Sequence, residues 1–187
     1  PGRTAAVEQP EHTTHAGRGI SSGVLHGQRV VLALSGIGKV AAATTASALI
    51  ERFGATRIVF TGVAGGVGDG VNVGDVVVAR SYVQHDMDAS PLFARWLVPG
   101  YADICLPCDS ELSALLSGAA SAYLASVSGL FDINSGTAAP RQHYGLIASG
   151  DRFINCPEVS NALRTPLLAD GHDVLAVEME GAAVAQV

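Results

Sequence analysis

Residues 173–187 read DVLAVEMEGAAVAQV, and this stretch sets the class of fold. Asp173 to Val177 form a short, largely apolar run, the pattern of a strand covered on both faces. Behind it, the small residues from Gly181 onward read as the start of a helix. A buried strand that passes at once into a helix is the repeating unit of a layered α/β domain. Between the two stand Glu178 and Glu180, flanking Met179. Carboxylates are costly to bury without partners, so both acids are expected on the rim of a pocket at the strand's carboxyl end rather than in a sealed core.

The same alternation runs through the rest of the chain. GISSGVLHGQRVVLALS (19–35) alternates about His26 and Gly27, a two-residue hairpin turn between two strands. KVAAATTASALIERF (39–53) spaces Val40, Ala43, Ala46, Leu49, Ile50 and Phe53 along one helix face, and Gly54 stands where a left-handed cap ends a helix. RIVFTG (57–62) is another buried-strand run. It opens into the glycine-rich VAGGVGDGVNVGD (63–75), after which VVVARSYV (76–83) is a further strand. From Gln84 to Cys108 periodicity is lost, which predicts a long surface loop of the kind that tends to serve function. DSELSALLSGAASAYLASV (109–127) is helical with Asp109 or Ser110 as N-cap. HYGLIASGDRFI (143–154) is strand into loop, and PEVSNALRTPLLADG (157–171) is a helix begun by Pro157, disturbed near Pro166 and ended by Gly171. The result is one α/β domain with a largely parallel or mixed sheet. In such sheets ligands sit outside the carboxyl ends of strands, which is where TGVAGG, SGDRFI and VEME fall.

Composition narrows the partners. At 187 residues, 48% hydrophobic and a mean hydropathy of +0.33, the chain can build one sizeable core. Only 15% of residues are charged and the formal net charge is -6, which argues against nucleic acid and anionic membranes as partners. No apolar run approaches the roughly 18 residues of a spanning helix, and the first residues lack the layout of a secretory signal, so a cytoplasmic protein is expected. Cys105, Cys108 and Cys156 are an odd count, and CLPC has no second ligand pair to complete a zinc site. The expectation is reduced thiols and no metal.

Taken locally, the candidate residues have plain alternatives. Glycines 62, 65, 66, 68 and 70 let backbone approach a ligand closely, or simply form a turn before a strand. No Lys-Ser or Lys-Thr follows to make a phosphate loop. Phe153 is either a core aromatic, the usual fate of such a residue, or a flat wall for a heteroaromatic ring. Asp151 reads as a turn former, and His85, Asp86 and Asp88 in QHDMD as a loop hydrogen-bond cluster. Glu180 either accepts hydrogen bonds from vicinal hydroxyls, placing negative charge beside an electron-poor carbon, or caps the helix behind it.

In combination, SGIGKVAAA, TGVAGG followed by VNVGDVVVA, HDMDASPLF, ASGDRFI and AVEMEGAAVAQV resemble the 5'-methylthioadenosine/S-adenosylhomocysteine nucleosidases of the nucleoside phosphorylase superfamily. The likeness runs in order from about Gly19 to the end. It implies a three-layer α/β/α sandwich around a mixed, partly barrel-like sheet, working as a homodimer on a small purine nucleoside without cofactor. Carried over by position, Glu180 would hold the ribose 2'- and 3'-hydroxyls, with Met179 beneath the sugar and Glu178 assisting water or ribose. Phe153 would stack on adenine while the backbone of Ile154 reads the base edge. Val63, Ala64 and Gly65 would line the floor near ribose, and Ile37 the sugar's 5' end. Phe93 or Pro99 would cover the alkylthio tail of the partner subunit's ligand.

The implied reaction is hydrolysis of the N-glycosidic bond to adenine and the thioribose. Related phosphorylases carry an arginine where this chain has Phe60, so water rather than phosphate is the expected nucleophile. The resemblance also implies an aspartate that protonates adenine and a glutamate that activates water. Neither has a counterpart in residues 1–187, where the first strand and the last strand and helix of the family are expected to be missing, as in a fragment or a truncated relative. The alternatives are a purine nucleosidase or phosphorylase of different specificity, and a nucleoside-binding relative without turnover.

Overall fold

The computed structural model describes residues 7–127 and 139–187. Three strands open the chain as an antiparallel sheet in the order β1-β2-β3: β1 (Glu8–His15), β2 (Arg18–Leu25) and β3 (Gln28–Ala33). The His26-Gly27 turn is as expected, with Leu25 opposite Gln28. Strand β1 was not expected: every one of its residues is exposed, so its polar sequence carries no alternation of burial to betray it.

Helix α1 (Lys39–Phe53) follows and is ended by Gly54 in the left-handed conformation, whose amide donates to Ile50 O. The run RIVFTG is the main correction. Residues 57–62 form no strand among the described residues; Ile58 and Phe60 are half-buried and Val59 is exposed. An apolar run marks a strand only where neighbouring strands supply ladder partners, and none lies beside this one. Pairing begins further on, at β4 (Gly65–Gly66).

The second sheet has the order β4-β8-β7-β5-β6. Its centre is three parallel strands, β5 (Val76–Gln84), β7 (Gln142–Ser149) and β8 (Val174–Glu178), bounded by antiparallel β4 and by β6 (Cys105–Pro107). The last of these corrects the loop expected from Gln84 to Cys108, which closes with a short strand against Ser81–Val83. The sheet is mixed and does not close into a barrel. Helix α2 (Ser110–Val127), capped by Asp109 through its carboxylate on the Leu112 amide at 2.7 Å, lies along β5 and β7. Helix α3 (Pro157–Ala169) runs through Pro166 and packs on β8, and α4 (Gly181–Val184) packs against α1.

Burial explains the layering. Leu146, Ala148, Val83, Val174 and Val177 meet Leu167 of α3 and Trp96 on one side, while Ala79, Ile147 and Ala176 form a second cluster with Tyr82. A register shift between Leu146 and Ile147 puts Val174 and Ala176 of β8, two residues apart and so normally on one face, into different clusters. At the mouth of the sheet Asp75 ties β5 to β7. Its carboxylate, 2% exposed, accepts from the amides of Asn72 (2.9 Å) and Arg141 (2.8 Å) and pairs with His143 Nε2 at 2.8 Å.

Candidate active site

The three parallel strands end in register: Gln84 is opposite Ser149, and Ser149 opposite Glu178. Strand β4 runs the other way, with Gly65 opposite Val177, so Val63 and Ala64 enter at the end where β8 delivers Met179 and Glu180. The stretches 63–65, 150–154 and 178–180 therefore meet at one edge, the last two at the ends of parallel strands as expected and 63–65 through antiparallel β4 rather than from an RIVFTG strand.

The two acids do different work. Glu178 is buried, 8% exposed, which corrects the expectation that both line a rim. Its Oε2 accepts from the amides of Glu180 (2.8 Å) and Gly181 (2.7 Å) and so holds the turn from β8 into α4. Its Oε1 is buried and has no hydrogen-bond partner among the described residues. Burial pushes the Glu178 carboxyl above the ordinary carboxylate range, against the pull of the Ser149 hydroxyl and the two amides, with Glu180's charge adding to the push. Behind it, burial drives the Tyr82 phenol well above its usual value, with help from Glu178's charge.

Glu180 is half-buried, and its side chain does not cap α4, the helix it begins. Its Oε1 instead accepts from the Gly38 amide at 2.7 Å, at the N-terminus of α1, a contact spanning 142 positions in sequence. The amide end of a helix favours negative charge, so the acid is fixed by an element that local pattern could not name. Oε2 of Glu180 makes no hydrogen bond among the described residues.

Around this contact lies a ring of ions. Asp151 Oδ1 accepts from the Lys39 amide (2.8 Å), and the Asp151 amide donates to Asp86 Oδ2 (2.9 Å). The Lys39 ammonium grips both Asp86 oxygens, at 2.9 and 2.8 Å. Burial works against the Asp86 charge, but Lys39 and the Asp151 amide outweigh it and hold this carboxyl below the usual range. Beside it, burial lowers the His85 imidazole pKa. Asp151 is thus more than a turn former, and Lys39 was not singled out at all, although the SGIGK turn contains it.

The remaining candidates are distributed as follows. Phe153 is 73% exposed, which excludes the core aromatic. Val63 and Ile37 are exposed at 99% and 82%, as are Ala64 and Gly65, while Met179 is half-buried. Ile154 is half-buried against the first core cluster. Phe93 and Pro99 are both exposed on the long loop. A cavity of about 220 Å³ lies between His85, Asp86, Trp96, Arg152 and α3; of the candidate set it takes Ile154 and not Glu180. A larger hollow of about 590 Å³ lies on the N-terminal sheet, lined by residues from His12 to Leu34. Neither of these hollows contains Glu180, Phe153 or the glycine turn; what the three have in common is that their segments lie at the carboxyl end of β7 and β8.

A mixed sheet with acids and glycines gathered at the carboxyl ends of its strands has the layout of an α/β ligand-binding fold. The chain belongs to the phosphorylase superfamily, whose family model matches residues 2–187. Within that superfamily it is similar to the 5'-methylthioadenosine/S-adenosylhomocysteine nucleosidases. It is 37% identical over 178 residues to that protein of Mycobacterium tuberculosis (strain CDC 1551 / Oshkosh), covering 89% of this chain and 66% of the relative. To that of Anoxybacillus flavithermus (strain DSM 21510 / WK1) it is 39% identical over 176 residues, covering 94% and 68%. The crystal structure of the Neisseria meningitidis nucleosidase in complex with methylthio-immucillin-A superimposes with a TM-score of 0.77 at 34% identity, covering 96% of this chain and 70% of that one. The chain spans about two thirds of the length of the mycobacterial relative.

Proposed function

We propose that this protein hydrolyses the N-glycosidic bond of adenine thionucleosides, 5'-methylthioadenosine and S-adenosylhomocysteine, to adenine and the thioribose. The observation that carries the reading is Glu180: a half-buried carboxylate at the carboxyl end of a central strand, with one oxygen held by the Gly38 amide and the other unengaged. Cleavage of an N-glycosidic bond develops oxocarbenium character on the ribose. A carboxylate fixed beside the sugar accepts its vicinal hydroxyls and stabilises that charge, and an acid already oriented needs little rearrangement to do so.

In this reading Glu180 binds the ribose hydroxyls, with Met179 under the sugar and Glu178 below them as the second acid. The exposed ring of Phe153 is the face on which adenine stacks, and the backbone of Ile154 reads the base edge. Val63, Ala64 and Gly65 floor the site, and Ile37 lies towards the 5' substituent. Phe93 or Pro99 reaches the tail bound by a partner subunit in a cytoplasmic homodimer. No cofactor is called for. Protonation of the departing adenine and activation of water are assigned to none of these residues.

The test is release of adenine from methylthioadenosine by the full-length protein in phosphate-free buffer. Turnover without phosphate supports the hydrolase, whereas strict phosphate dependence overturns it in favour of a phosphorylase. Phe60, half-buried where the related phosphorylases carry arginine, supports water as nucleophile.

A further inference from the structure

We propose that Lys39 is a positioning residue for Glu180, acting through the ring that it closes with Asp86 and Asp151. This rests on the reading of Glu180 as the ribose-binding acid. Glu180 owes its orientation to one amide, that of Gly38, at 2.7 Å. Gly38 is the N-cap residue of α1, so whatever fixes the first turn of α1 fixes the donor that aims the carboxylate.

Three contacts do that. The Lys39 amide is held by Asp151 Oδ1 at 2.8 Å, which anchors α1 to the segment leaving β7. The Lys39 ammonium spans both oxygens of Asp86, which anchors the same residue to the segment leaving β5. The Asp151 amide to Asp86 Oδ2 hydrogen bond, at 2.9 Å, closes the circuit between those two segments. The ammonium also lies 3.6 Å from Asp151 Oδ2, so one cation offsets the repulsion between two carboxylates. The Lys39 side chain is 22% exposed and that of Asp86 27%, so the pair is partly shielded from solvent, and the two hydrogen bonds from one ammonium define its geometry.

Without the ammonium, Asp86 and Asp151 face each other as like charges across a shared hydrogen bond, and Asp151 is released from the Lys39 amide. The turn at Gly38 then loosens and the Glu180 carboxylate loses its fixed direction. Phe153 and Ile154, the base-binding residues of that reading, follow Asp151 on the same segment, but Ile154 is held separately by its packing on the first core cluster. The consequence is therefore graded: recognition of the sugar, which hangs on the Gly38 amide, suffers more than recognition of adenine, whose Ile154 is anchored in the core.

The experiment uses the full-length protein with Lys39→Met, and Lys39→Arg as the conservative variant. Calorimetry with free adenine and with a non-hydrolysable methylthioadenosine analogue reads base and sugar recognition separately, and amide hydrogen exchange at Gly38 and Lys39 reads the turn directly. Expected in Lys39→Met are about tenfold weaker analogue binding, adenine affinity within about twofold, and exchange at Gly38 at least about tenfold faster, with Lys39→Arg restoring most of each. Unchanged exchange at Gly38 overturns the inference whatever the ligand data say, as does equal loss of adenine and analogue binding, which would mark a merely structural role. If the unmodified protein binds neither ligand, the reading of the site itself falls, and the sugar-specific role of Lys39 with it.

Discussion

Gly181→Ala places one methyl group where the structure has no room for it. A Cβ at position 181 would lie 2.2 Å from Tyr82 Cε1, 2.5 Å from Cζ and 2.8 Å from Cδ1, about 1.2 Å inside the 3.4 Å at which ordinary contact begins. Tyr82 cannot easily retreat, because it stands on a central strand with Leu106 on one side and Ile147 on the other and packs into two core clusters. Nor can Gly181, whose amide is held by Glu178 Oε2 at 2.7 Å. Overpacking of this kind costs about 2–3 kcal/mol, which for a chain of this size lowers Tm by about 4–12 °C.

The assay is urea unfolding and thermal melting of Gly181→Ala, of Tyr82→Phe and Tyr82→Leu, and of the two double variants. The clashing atoms are ring carbons, so Tyr82→Phe combined with Gly181→Ala remains destabilised, whereas Tyr82→Leu combined with it recovers at least about 1 kcal/mol relative to additivity. Because the same turn carries Glu180, the proposed nucleoside cleavage is expected to fall along with stability. A Gly181→Ala protein that melts within about 1 °C of the parent would refute the geometry assigned to the β8–α4 turn.

Three further outcomes follow from named contacts. On the proposed reading, Glu180→Gln removes the charge that would face the sugar while keeping the shape, and kcat/KM for methylthioadenosine is expected to fall about 100-fold or more in steady-state assays; unchanged kinetics would exclude Glu180 from the mechanism. Asp75→Asn exchanges an acceptor for a donor against the Asn72 or Arg141 amide, costing about 2–3 kcal/mol by denaturant titration. Burial raises the Asp75 pKa, but the two amides and His143 outweigh it and set the folded pKa below 3.8, so this stabilisation is fully present above that pH and disappears as pH falls through the folded value. The variant should therefore lose the acid limb of the stability profile; an unaltered limb would contradict the assignment. Glu178 has the opposite sign: its folded pKa lies above 4.5, so the folded state holds the proton more tightly and stability falls as pH rises from that value through the folded pKa. Glu178→Gln should flatten that decline, and a steeper decline in the variant would count against burial as its cause.

The elements that the sequence determined by itself are those whose evidence is local. Helix α1 with its glycine stop, the Asp109 cap, the His26-Gly27 turn and the buried runs of β5, β7 and β8 each carry a periodicity or a cap within a few residues, and their types are as expected. The meeting of 150–154 with 178–180 was legible too, because parallel β7 and β8 must present their carboxyl ends on the same side, whereas 63–65 arrives there through antiparallel β4 and not from the end of an RIVFTG strand. Tertiary structure alone decided what depends on a partner distant in sequence. RIVFTG has the composition of a strand and no ladder beside it, while β1 has the composition of a loop and pairs along its length with β2. The two acids of VEME look equivalent two residues apart. Yet the chain brings an α1 amide to Glu180 and the β8–α4 turn to Glu178, and the free energy of a carboxylate is set by the donors and burial around it rather than by its neighbours in sequence.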